Sequence, residues 1–248
     1  MFVSLCTPRS FIPFLFLTLA NLSSLTAWDN GLMTLTKPSE TVSPLMVELE
    51  LGHRFLEVLP LQGVNALLRG SVSFLNHYRA AVLYQTKEKE KGGELSAWFP
   101  VGDFDLGASV AVLWGQDHNK VGLPGYFSQV VTVFGSGFIL PRFLELTLNA
   151  QYDPRIPNIN GGLGMGITLV PDSLDFLLET NTAFSTLRSP VLIWNTGILV
   201  KTPGHQFILF IGNGNDLRLH SALSGLQPEL GDVSFGFMLR RKFDFFFY

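Results

Sequence analysis

Val233-Ser-Phe-Gly-Phe-Met-Leu-Arg-Arg-Lys-Phe-Asp-Phe-Phe-Phe-Tyr248 closes the chain. Phe235, Phe237, Leu239, Phe243, Phe245 and Phe247 fall on one parity. Ser234, Gly236, Arg240, Lys242 and Asp244 fall on the other. Side chains of a strand point alternately to its two faces. The stretch is therefore a ribbon with an oily face and a charged face, ending on aromatic rings. That polarity suits a strand with lipid on one side and a polar lumen on the other.

The same period runs through the chain. Val47, Leu49 and Leu51 alternate with Glu48, Glu50, Gly52 and Arg54. Leu106, Ala108, Val110, Val112 and Trp114 alternate with Asp105, Gly107 and Ser109, and Leu144, Leu146 and Leu148 with Glu145, Thr147 and Asn149. Leu163, Met165, Ile167 and Leu169 alternate with Gly162, Gly164, Gly166 and Thr168. Leu174, Phe176 and Leu178 alternate with Asp175 and Glu179. The period is 2, not 3.6. Weaker runs at Ser71–His77, 80–86, 94–101, 126–135, 191–201 and 206–212 bring the strand count to about twelve, within a range of 10–14.

Composition points the same way. The chain has 248 residues, of which 47% are hydrophobic and only 15% charged, against roughly 25% charged in a soluble domain. No apolar run reaches the ~20 residues of a spanning helix. In lipid an unpaired backbone amide costs several kcal/mol, so a sheet there must close. We expect an all-β fold, a closed up-and-down antiparallel transmembrane β-barrel over 46–248. The net charge of -3 argues against a nucleic-acid partner.

The amino-terminal residues predict a signal peptide over 1–27. Arg9 precedes the apolar Phe11–Ala20, and Ala27 suits cleavage before Trp28. Residues 28–45 read as a polar periplasmic lead-in. The single cysteine, Cys6, precedes the apolar core, so a mature chain would carry no disulfide. Connections alternate in length: short near 78–79, 102–103, 137–142, 171–173 and 202–204, long between them. Short periplasmic turns and long outside loops produce that alternation. The apolar stretch 59–70 reads as an outside loop that folds inward as a lid or short helix, and 87–91 as a solvated tip. Trp98, Trp114, Tyr126, Tyr152 and Trp194 suit interfacial girdles.

Two segments, Leu51-Gly-His-Arg-Phe55 and Thr202-Pro-Gly-His-Gln-Phe-Ile-Leu-Phe-Ile-Gly-Asn213, go beyond general barrel pattern. They resemble a Bacteroidetes-type family of predicted outer-membrane β-barrels of unknown function, with HRFG-like and GGHxFQLxxTN-like segments. Leu56, Pro203 and Ile208 depart from that pattern. The resemblance covers about 46–213. It implies an outer-membrane barrel and adds no catalytic residue.

His53 and His205 carry the resemblance. A shared metal needs both rings at one ion, but His205 falls at a turn and His53 about seven residues up its strand, about 15–20 Å away. Separate structural roles follow: His205 ties the Pro203-Gly204 turn, and His53 bonds inside the wall. The lumen-lining charged candidates are Glu48, Glu50, Arg54, Glu145, Asp175, Glu179, Lys201, Arg240 and Lys242. If the last strand meets the first, Arg240 and Lys242 lie beside Glu48 and Glu50. Such charges build either a seam of ion pairs or a polar conduit.

No nucleophile elbow, HExxH or Cys/His cluster is present, and Gly161–Gly166 opens no helix. Ser73 and His77, read on one strand face, stand ~13 Å apart, too far for a nucleophile and base. We expect no enzyme, no cofactor and no metal. The expected function is a passive pore or small-solute transport or binding barrel. Its partners are outer-membrane lipid, a small polar solute, and the barrel-assembly machinery through the aromatic carboxy terminus. A structural or surface-interaction barrel with a closed lumen is the alternative. A soluble secreted barrel binding a lipophilic ligand is the third reading, and it requires the opposite facing.

Overall fold

A computed structural model describes residues 33, 35, 37, 45–56, 63–86, 89–115, 125–154, 158–184, 191–214 and 233–244. The expected signal peptide, most of the lead-in, most of the longer loops and the terminal 245–248 lie outside the described residues.

Twelve strands form one closed barrel: β1 (Leu45–Leu56), β2 (Gly63–Phe74), β3 (Tyr78–Gln85), β4 (Glu90–Val101), β5 (Phe104–Gly115) and β6 (Tyr126–Leu140). They continue with β7 (Leu144–Asp153), β8 (Asn158–Val170), β9 (Leu174–Phe184), β10 (Val191–Thr202), β11 (His205–Gly212) and β12 (Ser234–Asp244). Each strand pairs antiparallel with its sequence neighbours, and β12 closes on β1. Closure leaves no unpaired edge, the condition for a sheet in hydrocarbon. The wall shifts register between Phe138 and Leu140 and between Thr168 and Val170. Both shifts lie beside the tight turns, at the rim where bulges gather.

Tight turns at 75–77, 102–103, 141–143, 171–173 and 203–204 share one end of the barrel. Gly102 and Gly204 take φ +65° and +77°, the left-handed conformation glycine adopts without steric cost. Asn76 and Asp172 do the same at 64° and 57°, as short polar side chains allow.

The outward parity is an exposed apolar belt. Leu49, Leu51, Leu68, Val82, Leu95, Leu106, Val133, Leu148, Leu163, Leu209 and Phe237 are all exposed. Phe237 points out, and Leu146 and Phe176 lie half-buried on the same parity. The reverse facing, which a soluble barrel with an oily interior requires, is absent from the described strands. One charge interrupts the oily face of β12. Arg241 is exposed there, its guanidinium 4.8 Å from the Phe243 ring centre.

Several local expectations are corrected. Residues 63–70 are the first part of β2, not a lid or helix, and Glu90–Gly93 belong to β4 rather than a loop tip. In the first, Leu67 joins Asn65 and Arg69 on the inward parity, and in the second Lys91 stands on the outward parity beside two glycines, so neither shows a clean alternation. β2 ends at Phe74 and His77 lies in the following turn, so Ser73 and His77 share no strand. Trp98 and Tyr126 turn inward instead of joining a girdle: Trp98 is buried near Arg79, and Tyr126 donates to Glu90 at 2.5 Å. Trp114 and Tyr152 are exposed on the outer face.

Candidate functional site: the lumen

The nine charged candidates all occupy the inward parity. Glu48, Glu50, Arg54, Asp175, Glu179, Lys201, Arg240 and Lys242 are buried, and Glu145 is nearly so. Barrel closure sets Glu48 opposite Lys242 and Glu50 opposite Arg240.

On the wall from β12 through β4 these groups join a chain of alternating sign. Arg240 Nε donates to Glu50 Oε2 at 3.2 Å, and Arg69 lies 3.8 Å from the same oxygen. Arg69 and Arg79 then share Glu94 Oε1 at 3.4 and 3.7 Å, and Ser96 donates to it at 3.0 Å. Arg69, Arg79 and Glu94 were missed as site residues: Glu94 opened a run read as a strand, but Arg79 fell in an expected turn and Arg69 in an expected loop, whereas they lie on β3 and β2. A guanidinium holds two carboxylates because its donors fan out in one plane. Each carboxylate between two guanidiniums offsets their mutual repulsion.

The opposite wall differs. The inward positions of β5 through β9 carry Asp105, Glu145, Asp153, Asp175 and Glu179 and, among the described residues, no lysine or arginine. Serine, threonine and amide groups fill the gaps. Ser136 donates to Glu145 at 2.7 Å, Ser128 to Asp153 at 2.5 Å, and Gln151 to Thr132 at 3.1 Å. Asp175 reaches sideways to Lys201 on β10 at 2.6 Å. The lumen therefore has an arginine-rich side facing an acidic side.

At the loop end, Arg54 spans several strands. It is fully buried, donates from Nη2 to Asn195 Oδ1 at 2.6 Å and from Nη1 to the Gly214 carbonyl, and stands 4.8 Å from the Phe210 ring centre. Gly236 makes this stack fit, because a Cβ there would stand 2.5 Å from Phe210 Cζ.

The lumen is not uniformly polar. Leu67, Leu83, Leu113, Leu177, Leu199, Ile208 and Met238 point inward and belong to one buried apolar cluster. Met33 joins that cluster. Its amide donates to Glu179 Oε1 at 2.5 Å, Leu35 fills the space a side chain on Gly162 would need, and Lys37 pairs with Glu145. These described lead-in residues are buried inside the wall, unlike a tail free in the periplasm. Their partners explain it: the acidic wall takes the ammonium and the amide, and the apolar cluster takes the methionine.

The two histidines act otherwise than expected. His53 faces outward and stacks on Phe237, centroids 5.5 Å apart. At the last tight turn, Thr202 Oγ1 donates to the His205 backbone carbonyl, so the bond spanning that turn uses backbone, not imidazole. The His205 ring lies 6.2 Å from Phe207. On β12, His53 pairs with Phe237 and His205 with Arg241, a separation of about 13 Å along the strand. The rings cannot share an ion. Among the described residues, no group of three or more His, Cys, Asp or Glu is placed to hold a metal.

No family model matches the chain, and no curated protein does. Solved barrels do. The KdgM porin matches with a TM-score of 0.56 at 11% identity, covering 79% of this chain and 99% of its own. The same porin in complex with disordered oligogalacturonate matches at 0.55 and 11%, with the same coverage. The NanC porin matches at 0.58 and 10%, covering 79% of this chain and 100% of its own. At such identity the likeness concerns architecture alone: a closed antiparallel β-barrel of the kind found in outer-membrane proteins, here with twelve strands.

Proposed function

We propose that this chain is a bacterial outer-membrane pore that admits small polar solutes and performs no chemistry on them. The observation that carries it is the facing of the wall, with an apolar belt outside and opposed basic and acidic sides within. Opposed charges across a lumen make a field that orients dipolar solutes and offsets part of the hydration they lose on entry. Glu50 and Glu94 engage Arg69, Arg79 and Arg240. The solute class therefore stays at small polar molecules, without narrowing to the polyanion named for the KdgM complex. The aromatic carboxy terminus is read as the strand that the assembly machinery receives, and the resemblance to the Bacteroidetes-type family remains part of this proposal.

The closed-lumen structural barrel is the second reading. It draws on Met33, Leu35 and Lys37 lying inside the wall. Refolded protein in planar bilayers separates the two. A pore gives discrete, ohmic current steps. A barrel that shows heat-modifiable gel mobility and outer-membrane fractionation yet passes no current supports the structural reading.

A further inference from the structure

The acidic inner wall already holds something. Glu179 accepts the Met33 amide at 2.5 Å, and Glu145, itself fixed by Ser136 at 2.7 Å, receives Lys37. Leu35 takes the volume left by Gly162. Met33 sits in the apolar cluster with Leu177 and Leu199 on the same side. Glu145, Gly162 and Glu179 lie on the adjacent strands β7, β8 and β9. Three features of one wall thus match three features of one short stretch: a carboxylate for the ammonium, a vacant Cβ position for the leucine, a carboxylate for the amide.

We propose that the β7–β9 face of the lumen is a cation-binding site, and that the chain's own Met33, Leu35 and Lys37 occupy it as a plug. The proposal rests on the pore reading above for its consequence: with the plug seated, the acidic side is covered and the conduit is narrowed. An ammonium-bearing solute is the chemical class that exchanges with Lys37, because Glu145 and Ser136 offer acceptor oxygens and the wall has no cation of its own. The arginine-rich side is unsuited to that ligand. The plug residues are no part of the strand ladder, so they exchange without unfolding the barrel.

Placement is tested first, on the full chain and without reference to current. The pair Leu35→Cys and Gly162→Cys is expected to form a disulfide on mild oxidation of the folded barrel. Leu35→Cys with Ala81→Cys, on β3, is not expected to crosslink. Absence of the first crosslink, or equal yield in both pairs, overturns the plug.

Conductance is tested second. Lys37→Met and Glu145→Gln are each expected to raise mean single-channel current several-fold over the unsubstituted chain. The oxidised Leu35→Cys/Gly162→Cys protein that also carries Lys37→Met is expected to stay at the low level until reductant is added, and then to rise to the Lys37→Met level. Cadaverine, a diamine with a lysine-like end, is expected to raise the current of the unsubstituted pore and to leave Lys37→Met unchanged. Equal currents before and after reduction overturn the plugging role. Absence of a cadaverine effect overturns the cation site. A barrel that crosslinks but stays silent in every form overturns the pore reading and the plug's effect on flow, while the segment's placement stands on the first experiment.

Discussion

Arg240 on β12 donates from Nε to Glu50 Oε2 on β1 at 3.2 Å, across the seam where the barrel closes. The two are 190 positions apart, so only closure brings them together. Glu50 also faces Arg69 at 3.8 Å. Removing it leaves two buried guanidiniums side by side. Glu50→Gln is expected to destabilise the barrel by about 2 kcal/mol, below the ~3–5 kcal/mol of a fully broken buried pair because Arg69 keeps its contact with Glu94. Urea unfolding in lipid vesicles, followed by tryptophan fluorescence, measures it. Unchanged stability would mean the seam is held by backbone pairing alone.

The oily exterior makes a sharper prediction. Leu209 lies in the middle of β11 and is 67% exposed. Leu209→Arg is expected to cost about 2–4 kcal/mol, the penalty for a cation near the bilayer midplane. The same unfolding assay reads it. A substitution tolerated without loss would place this face in water.

Phe210 lies against Gly236 and beneath Arg54. Gly236→Ala is expected to push the ring off its seat and break the Arg54 stack, costing about 1–3 kcal/mol as an overpacked site. The melting temperature should fall while the strand signal in circular dichroism persists.

Arg69 and Arg79 supply cations to one side of the lumen, and Glu94 sits between them. Arg69→Met with Arg79→Met removes both cations beside that carboxylate. In a salt gradient across a planar bilayer, the reversal potential is expected to move toward cation selectivity. A potential that does not move would show that ions pass elsewhere.

Strand facing was legible because it is local. Glu48, Glu145, Asp175 and Arg240 stand on alternate positions, and a pleated ribbon has only two faces. The start of β2 was not legible. Val64, Ala66 and Leu68 lie on its outward parity, but Leu67 points inward beside Asn65 and Arg69. One inward leucine turns the alternation into a continuous apolar run that reads as a loop. Trp98 and Tyr126 misled for a related reason. A ring near a strand end suits an interface, yet each has a polar partner inside, Arg79 and Glu90.

Residue order alone dictated strands with unlike faces, since period-2 hydrophobicity sorts side chains onto two sides, and, for such strands in lipid, the cost of bare amides requires a closed edge. Folding chose the partners: Arg240 with Glu50 across the seam, Arg54 over Phe210, Lys37 against Glu145. Those pairings depend on how the closed wall brings distant strands around one lumen, and on which acids the internal segment can reach. No local pattern encodes that distance.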